Sequence, residues 1–142
     1  MKKLLYTLAI SAFSLTTAQK LSTEQKQMLT YDLTEDFNRI INKENIDLCY
    51  ENKEASYSLL ALAIKTDRPK VFQKLLDSNV DLEKVCDGKT PLMFAVKYGK
   101  IDFTKKLLEK GAKKETKTDR GYTAVDYAKK YDQKEIIILL QQ

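Results

Sequence analysis

The side chains of this sequence that could do chemistry are two cysteines, several carboxylates and a set of tyrosines and lysines. Histidine is absent from all 142 residues, which removes the commonest general base and metal ligand at neutral pH. Two cysteines without histidine cannot complete the usual four-ligand zinc site. Asp32, Glu35 and Asp36 could form an acid–base cluster, but the dipole of a helix that starts there explains them better. The sequence thus predicts a non-enzyme without cofactor or metal.

The two cysteines, Cys49 and Cys86, are instead candidates for a disulfide. An even number of cysteines favours pairing in an oxidising compartment. A bridge requires Cα atoms within about 6.8 Å, whereas packed elements lie roughly 8–10 Å apart, so the two loops would have to lean together. The alternative is two free or buried thiols, and the residues alone leave both states open.

Residues 1–18 have the layout of a secretory signal peptide. Two lysines open the segment, an uncharged and mostly apolar run of twelve residues follows at 4–15, and small residues precede a cleavage site after Ala18. Twelve apolar residues are too few to span a bilayer. The pattern predicts an exported bacterial protein, periplasmic or secreted, whose mature chain has no membrane span.

A repeat of about 33 residues organises the rest of the chain. The motif Gly-Lys-Thr-Pro-Leu-Met-Phe-Ala begins at Gly88, and Gly-Tyr-Thr-Ala-Val-Asp-Tyr-Ala begins 33 residues later at Gly121. Gly88 permits a tight turn, while Thr90 and Pro91 suit the cap and the first position of a helix. A second helix follows, with Leu107 in its apolar stripe. Each unit is then a helix pair that is too small to fold alone, and stacking buries its apolar face.

The pattern Gly-x-Thr-Pro-Leu-x-x-Ala, followed by a glycine and by Leu-Leu-x-x-Gly-Ala, closely resembles the ankyrin repeat over about residues 34–142. The resemblance implies an all-α fold, an ankyrin-repeat α-solenoid of helix–turn–helix units with hairpin-like connecting loops. Asp67 and Asn79 stand where the repeat has glycine, and asparagine tolerates the left-handed conformation best after glycine. The expected segments are a signal peptide at 1–18, a degenerate N-terminal capping helical hairpin at 19–53, and ankyrin repeats at 54–86, 87–118 and 119–142.

The N-terminal unit is predicted from its capping signals. Residues 22–25 have the pattern of a capping box that opens a helix, and residues 34–36 open a second helix that ends around Asn45. The sequence at 45–47 recurs 34 residues later at 79–81. We therefore expect a degenerate first repeat whose polar outer side caps the stack.

The resemblance also implies that a partner meets the loop tips and the inner, first helices on the concave side of the stack. Tyrosine offers a large rigid contact area with one polar group, and lysines beside it favour an acidic partner through electrostatic steering. The alternative for tyrosines such as Tyr98 or Tyr131 is packing against neighbouring repeats. The predicted partner-binding residues are Tyr57, Lys65, Lys89, Lys97, Tyr98, Arg120, Tyr122, Lys130 and Tyr131.

Charge argues against a nucleic-acid partner. Removal of the signal peptide takes away two lysines and lowers the formal net charge from +5 to +3, with 23 basic and 20 acidic residues left. The remaining lysine pairs are interleaved with acidic residues, which is weak for nucleic-acid binding.

The sequence therefore predicts a non-enzymatic protein–protein interaction module in the cell envelope, and it implies no particular oligomeric state. One alternative is an inhibitor or immunity-type protein that occludes a toxin or an enzyme. Another is a structural brace or homodimer held through the apolar last helix, where 136–140 reads Ile-Ile-Ile-Leu-Leu.

Overall fold

Over the residues that it describes, 18–53 and 55–142, the computed structural model contains eight helices and one β-hairpin. An N-terminal unit holds α1 (Thr23–Tyr31) and α2 (Phe37–Ile40), and the hairpin of β1 (Cys49–Asn52) and β2 (Ala55–Ser58) follows it. Three helical pairs complete the chain: α3 (Leu59–Lys65) with α4 (Pro69–Asp77), α5 (Pro91–Lys97) with α6 (Ile101–Glu109), and α7 (Ala124–Lys130) with α8 (Lys134–Gln141). The predicted signal peptide, apart from Ala18, lies outside the described residues. Every helix within them is too short or too polar to cross a lipid bilayer.

The inner helices α3, α5 and α7 pack side by side, and each also packs against the outer helix that follows it. Helices with neighbouring units on both sides are buried almost completely, as Leu59–Ile64 of α3 and Pro91–Val96 of α5 show. In α7, at the end of the described stack, only Ala124 and Ala128 are buried. This gradient is expected of a one-dimensional stack, and the predicted helix–turn–helix units are confirmed.

A short β-hairpin corrects the expected all-α architecture. Antiparallel β1 and β2 pair Tyr50 with Tyr57 and Cys49 with Ser58. The two tyrosines therefore lie on one face of the hairpin, where both are buried. Lys53 in the turn has φ 59°, the left-handed conformation that tight hairpin turns require. Tyrosine favours strands because it packs well on a half-buried pleated surface. The connection between the first two units is thus a true β-hairpin, in line with the expected hairpin-like connecting loops.

The N-terminal unit contains the predicted capping box. The Ser22 hydroxyl accepts a hydrogen bond from Gln25 N, and Gln25 Oε1 accepts one from Ser22 N. The second helix is shorter than predicted, since α2 ends at Ile40 rather than around Asn45. The Asn45 side chain bonds the backbone of Asn42 and Ile40, and such local bonds compete with helix continuation.

Tyr50 ties the N-terminal unit to the hairpin. Its buried hydroxyl donates a hydrogen bond to Asn45 O at 2.7 Å and accepts one from Gln25 Nε2 at 3.1 Å. Burial raises the pKa of Tyr50 above its ordinary value, although the bond from Gln25 opposes this. The phenol therefore stays neutral and keeps its donated bond at physiological pH. Gln19 adds a backbone pairing beside Tyr50.

Carboxylates of one unit cap backbone amides of the next. Asp32 accepts hydrogen bonds from Lys70 N at 3.1 Å and Val71 N at 2.9 Å, at the start of α4. Asp47 likewise accepts one from Asp81 N at 2.8 Å. The expectation that Asp32 serves a helix starting beside it in sequence is therefore wrong. It caps a helix that lies 38 residues further on, which local sequence patterns do not reveal.

The Asp32 cap should contribute measurably to stability. We expect Asp32→Ala to lower the free energy of unfolding by about 1–2 kcal/mol, because two amides at the start of α4 lose their acceptor. Urea unfolding followed by circular dichroism measures this difference. Asp36→Ala is the matched control, since the Asp36 carboxylate lies in an exposed ion pair with Arg39 and its removal should hardly move the midpoint. Equal midpoints for the two variants would contradict the capping role.

Candidate functional site

The predicted binding residues form two rows on the inner side of the stack. The helix-end row lies at or just after the C-termini of the inner helices and contains Lys65, Lys97, Tyr98, Lys130 and Tyr131. The turn row precedes the inner helices and contains Tyr57, Lys89, Arg120 and Tyr122. Together these nine residues are called the lysine–tyrosine face below.

Aromatic rings four residues apart stack at the ends of two inner helices. Phe94 and Tyr98 have ring centroids 6.3 Å apart and planes 10° from parallel, and Tyr127 and Tyr131 repeat this geometry at 6.4 Å and 9°. Residues i and i+4 share one face of a helix, so the same pairing recurs in two repeats. Phe94 and Tyr127 are absent from the predicted site, although their spacing from a predicted tyrosine is a signal that identifies them.

Tyr57, predicted to contact a partner, instead lies in the core. It is only 5% exposed, and its ring centroid is 4.9 Å from that of Phe94. Its hydroxyl accepts a hydrogen bond from Lys65 Nζ at 2.9 Å and lies 3.2 Å from the hydroxyl of Tyr98. Tyr57 therefore offers a partner almost no area, but it holds two half-exposed residues in place.

The two linked hydroxyls differ in acidity. Burial raises the pKa of Tyr98 above its ordinary value, and the hydrogen bond to Tyr57 raises it further. Burial also acts to raise the pKa of Tyr57, but the bonds from Lys65 and Tyr98 outweigh it and lower that pKa. The two hydroxyl oxygens lie 3.2 Å apart, and either group can donate the hydrogen bond that links them.

Three lysines of the face, Lys65, Lys97 and Lys130, lie over tyrosine rings. These three residues are called the lysine ladder below. The distances from ammonium nitrogen to ring centroid are 4.2 Å for Lys65 over Tyr57, 5.6 Å for Lys97 over Tyr98, and 5.8 Å for Lys130 over Tyr131. Attraction between a cation and the face of an aromatic ring favours this placement. It restrains side chains that would otherwise be mobile.

The ladder carries uncompensated positive charge. Among the described residues, 18–53 and 55–142, the ion pairs are Arg39–Asp36, Lys89–Asp87 and Lys100–Asp67. No ladder lysine takes part in them, so within this part of the chain no carboxylate lies in ion-pair range of the three ammonium groups. A negatively charged partner group would therefore meet them without displacing an internal salt bridge.

The basic residues of the turn row make different contacts from those of the ladder. Lys89 Nζ donates hydrogen bonds to Asp87 Oδ2 at 3.0 Å and to the Asp87 carbonyl at 2.9 Å, so its charge is compensated within its own turn. Arg120 and Tyr122 are exposed at the next turn, Tyr122 by 52%. A depression of about 280 Å³ lies between the two turns and is also lined by Tyr127.

The Cys49–Cys86 disulfide braces the turn that carries Lys89. The Cα atoms of the bonded cysteines are 5.7 Å apart, so the two loops do lean together and the alternative of free thiols is set aside. Cys86 and Lys89 exchange backbone hydrogen bonds of 3.1 and 3.0 Å. The bridge therefore joins β1 to the turn that enters α5, one repeat further along.

This arrangement suits recognition better than catalysis. The face combines positive charge from lysine with the flat rings and hydroxyl groups of tyrosine, a residue that is enriched at the energetic centres of protein interfaces. In the described part of the chain, no three side chains among the cysteines, aspartates and glutamates cluster as metal ligands would.

Comparison with known proteins gives one finding. A family model described as "Ankyrin repeats (3 copies)" matches residues 31–118 and, in an overlapping placement, residues 60–142. The two matches together span the chain from the end of α1 to its last residue, and so include every residue of the lysine–tyrosine face. No curated protein matches the sequence.

Proposed function

Because the chain belongs to the ankyrin-repeat family, whose repeats form protein–protein interaction modules, we propose that it binds a protein partner through the lysine–tyrosine face. The mechanism is surface complementarity, without a chemical step. The observation that carries the proposal is the lysine ladder, three positive charges on one face that no carboxylate of the described residues neutralises.

The partner is acidic at the site of contact. Like charges placed opposite each other at an interface cost several kcal/mol, and opposite charges accelerate encounter. The exposed tyrosines supply contact area around the charges, and burying their rings favours association through the hydrophobic effect. Affinity should accordingly fall as salt screens the lysines.

The site of action that we propose is an oxidising compartment of the cell envelope or the exterior. The Cys49–Cys86 bridge supports this, because disulfides persist mainly in such compartments. The signal-peptide pattern of residues 1–18 supports it independently.

A second candidate function is assembly through α8. Ile138 on this helix is 62% exposed, the largest exposed fraction among the leucine, isoleucine and valine side chains of the described residues. A homodimer or a brace for a larger assembly would cover it. In that case Ile138→Lys should abolish association, while changes in the lysine ladder should have no effect.

The proposed function is tested by capture from an envelope extract of the producing cells with the chain from Gln19 onwards. The face variant is Lys97→Glu with Lys130→Glu, and the control is Lys105→Glu with Lys134→Glu, which changes exposed lysines of the outer helices by the same charge. A protein retained by the unchanged chain and the control but lost from the face variant is the expected result. We expect its affinity, measured by calorimetry after purification, to fall at least about tenfold.

Other outcomes separate the alternatives. Equal capture by both variants contradicts the proposed site and directs attention to α8. A tight 1:1 complex with a single enzyme or toxin, whose activity is blocked by the unchanged chain, would make the module an inhibitor.

A further inference from the structure

The lysine ladder has a regular spacing, because its three members occupy the same position in successive repeats. Lys65, Lys97 and Lys130 are the last residues of α3, α5 and α7. These helices pack side by side in that order, and packed helices lie roughly 8–10 Å apart. The helix ends that carry the ladder lysines therefore recur about every 8–10 Å along the stack.

Among regular structures, an α-helix can match this spacing on one face. Seven helical residues rise about 10.5 Å and complete almost two turns, so side chains at i, i+7 and i+14 form a nearly straight row. In a β-strand, residues on one face are about 6.6 or 13 Å apart, because side chains alternate at about 3.3 Å per residue. Both strand spacings lie further from the range of about 8–10 Å than the helical spacing does.

We propose that the ladder binds an acidic amphipathic helix whose carboxylates recur at seven-residue intervals. The inference rests on the proposed function and deepens it, since it assigns the shape and charge pattern of the partner segment. Each ladder lysine pairs with one carboxylate of the bound helix. Tyr98 and Tyr131 lie beside the lysines and contact the methylene groups of the same acidic side chains.

The ladder is already organised for such a ligand. Each ammonium group lies over a tyrosine ring, and Lys65 also donates a hydrogen bond to Tyr57 at 2.9 Å. A long lysine side chain that is held in place loses less conformational entropy when it binds. Two carboxylates of the same repeats are committed elsewhere: Asp87 bonds Lys89, and Asp126 bonds Thr123. They do not compete for the ladder.

Two synthetic peptides of identical composition test the spacing. Both are fluorescein-labelled, alanine- and glutamine-rich helices of 21 residues with three glutamates. One peptide has the glutamates at i, i+7 and i+14, and the other at i, i+5 and i+10, where they point in different directions around the helix. Circular dichroism checks that the helicities match, and fluorescence anisotropy gives the dissociation constants. We expect the seven-residue peptide to bind at least about tenfold more tightly.

A charge swap at the centre of the ladder tests the register. Lys97→Glu should weaken binding of the seven-residue peptide at least about tenfold. A peptide with lysine in place of the central glutamate should restore it. The central position faces Lys97 whichever way the helix runs, so the rescue does not depend on peptide direction. Lys105→Glu on α6 is the matched control and should leave binding unchanged.

The outcomes distinguish this inference from the proposed function. Equal binding of both peptides, or no rescue by the swapped peptide, overturns the seven-residue spacing. Binding of neither peptide overturns it as well. In each case the proposed function stands if capture of the natural partner still requires Lys97 and Lys130, and it fails separately if that capture does not.

Discussion

Replacement of Cys49 and Cys86 by serine should lower the free energy of unfolding by about 4 kcal/mol. The bridge joins residues that are 37 positions apart, and the loop-closure entropy that it removes from the unfolded chain corresponds to this value. Urea unfolding in non-reducing buffer measures the difference. The unfolded state of the variant also exposes more surface than the bridged one, so the slope of the unfolding free energy against urea should rise.

Reductant supplies the control for this prediction. Added to the unchanged chain, it should reproduce the midpoint of the serine variant, and it should leave that variant unaffected. A shift below about 1 kcal/mol on reduction would mean that the unfolded chain keeps the two segments together without the bond.

Phe94→Ala should cost about 3–5 kcal/mol of unfolding free energy, the range for removal of a buried aromatic ring. Phe94 is 1% exposed, and its ring lies against those of Tyr57 and Tyr98. The substitution leaves a cavity between α5 and the hairpin and also removes the ring on which Tyr98 stacks. Thermal and urea unfolding give the loss in stability, and binding of the partner should weaken beyond what the folded fraction explains.

An exposed apolar residue provides the control for Phe94. Ile138→Ala on α8 should change stability by less than about 0.5 kcal/mol, because Ile138 is 62% exposed. Similar losses for the two variants would contradict the burial that places Phe94 beneath the face.

The elements that local chemistry determines could be predicted from the sequence. Thr90 accepts a hydrogen bond from Met93 N as the cap of α5, with Pro91 at the first position. The ankyrin repeat has a glycine between its two helices. At this position Gly99 has φ 64° and Asp67 has φ 59°, so aspartate adopts the same left-handed turn. These outcomes depend on a few neighbouring residues and on the repeat period.

Features that arise between units could not be predicted in this way. Tyr57 and Phe94 are 37 residues apart in sequence, and only the packing of neighbouring repeats shows that their rings lie against each other. Asp32 is likewise distant in sequence from the α4 amides that it caps. The positions of the ladder lysines follow from the repeat, and each lies over a tyrosine ring of its own unit. That no carboxylate of the described residues lies within ion-pair range of them is a feature of the assembled stack.

The decline in burial along the stack has a consequence for cooperativity. Within the described residues, the disulfide joins β1 to the turn before α5, while α7 and α8 pack mainly against each other and against α5 and α6. We therefore expect local opening of this part of the chain to start at Lys134–Gln141 and proceed inwards. Lys130 and Tyr131 belong to this least buried of the described helical pairs. A partner that contacts both Lys97 and Lys130 must bind the closed state of the repeat. Binding then stabilises that state, and the apparent affinity depends on the free energy of closing the repeat. Loosening α8 would weaken affinity without altering any residue that the partner touches.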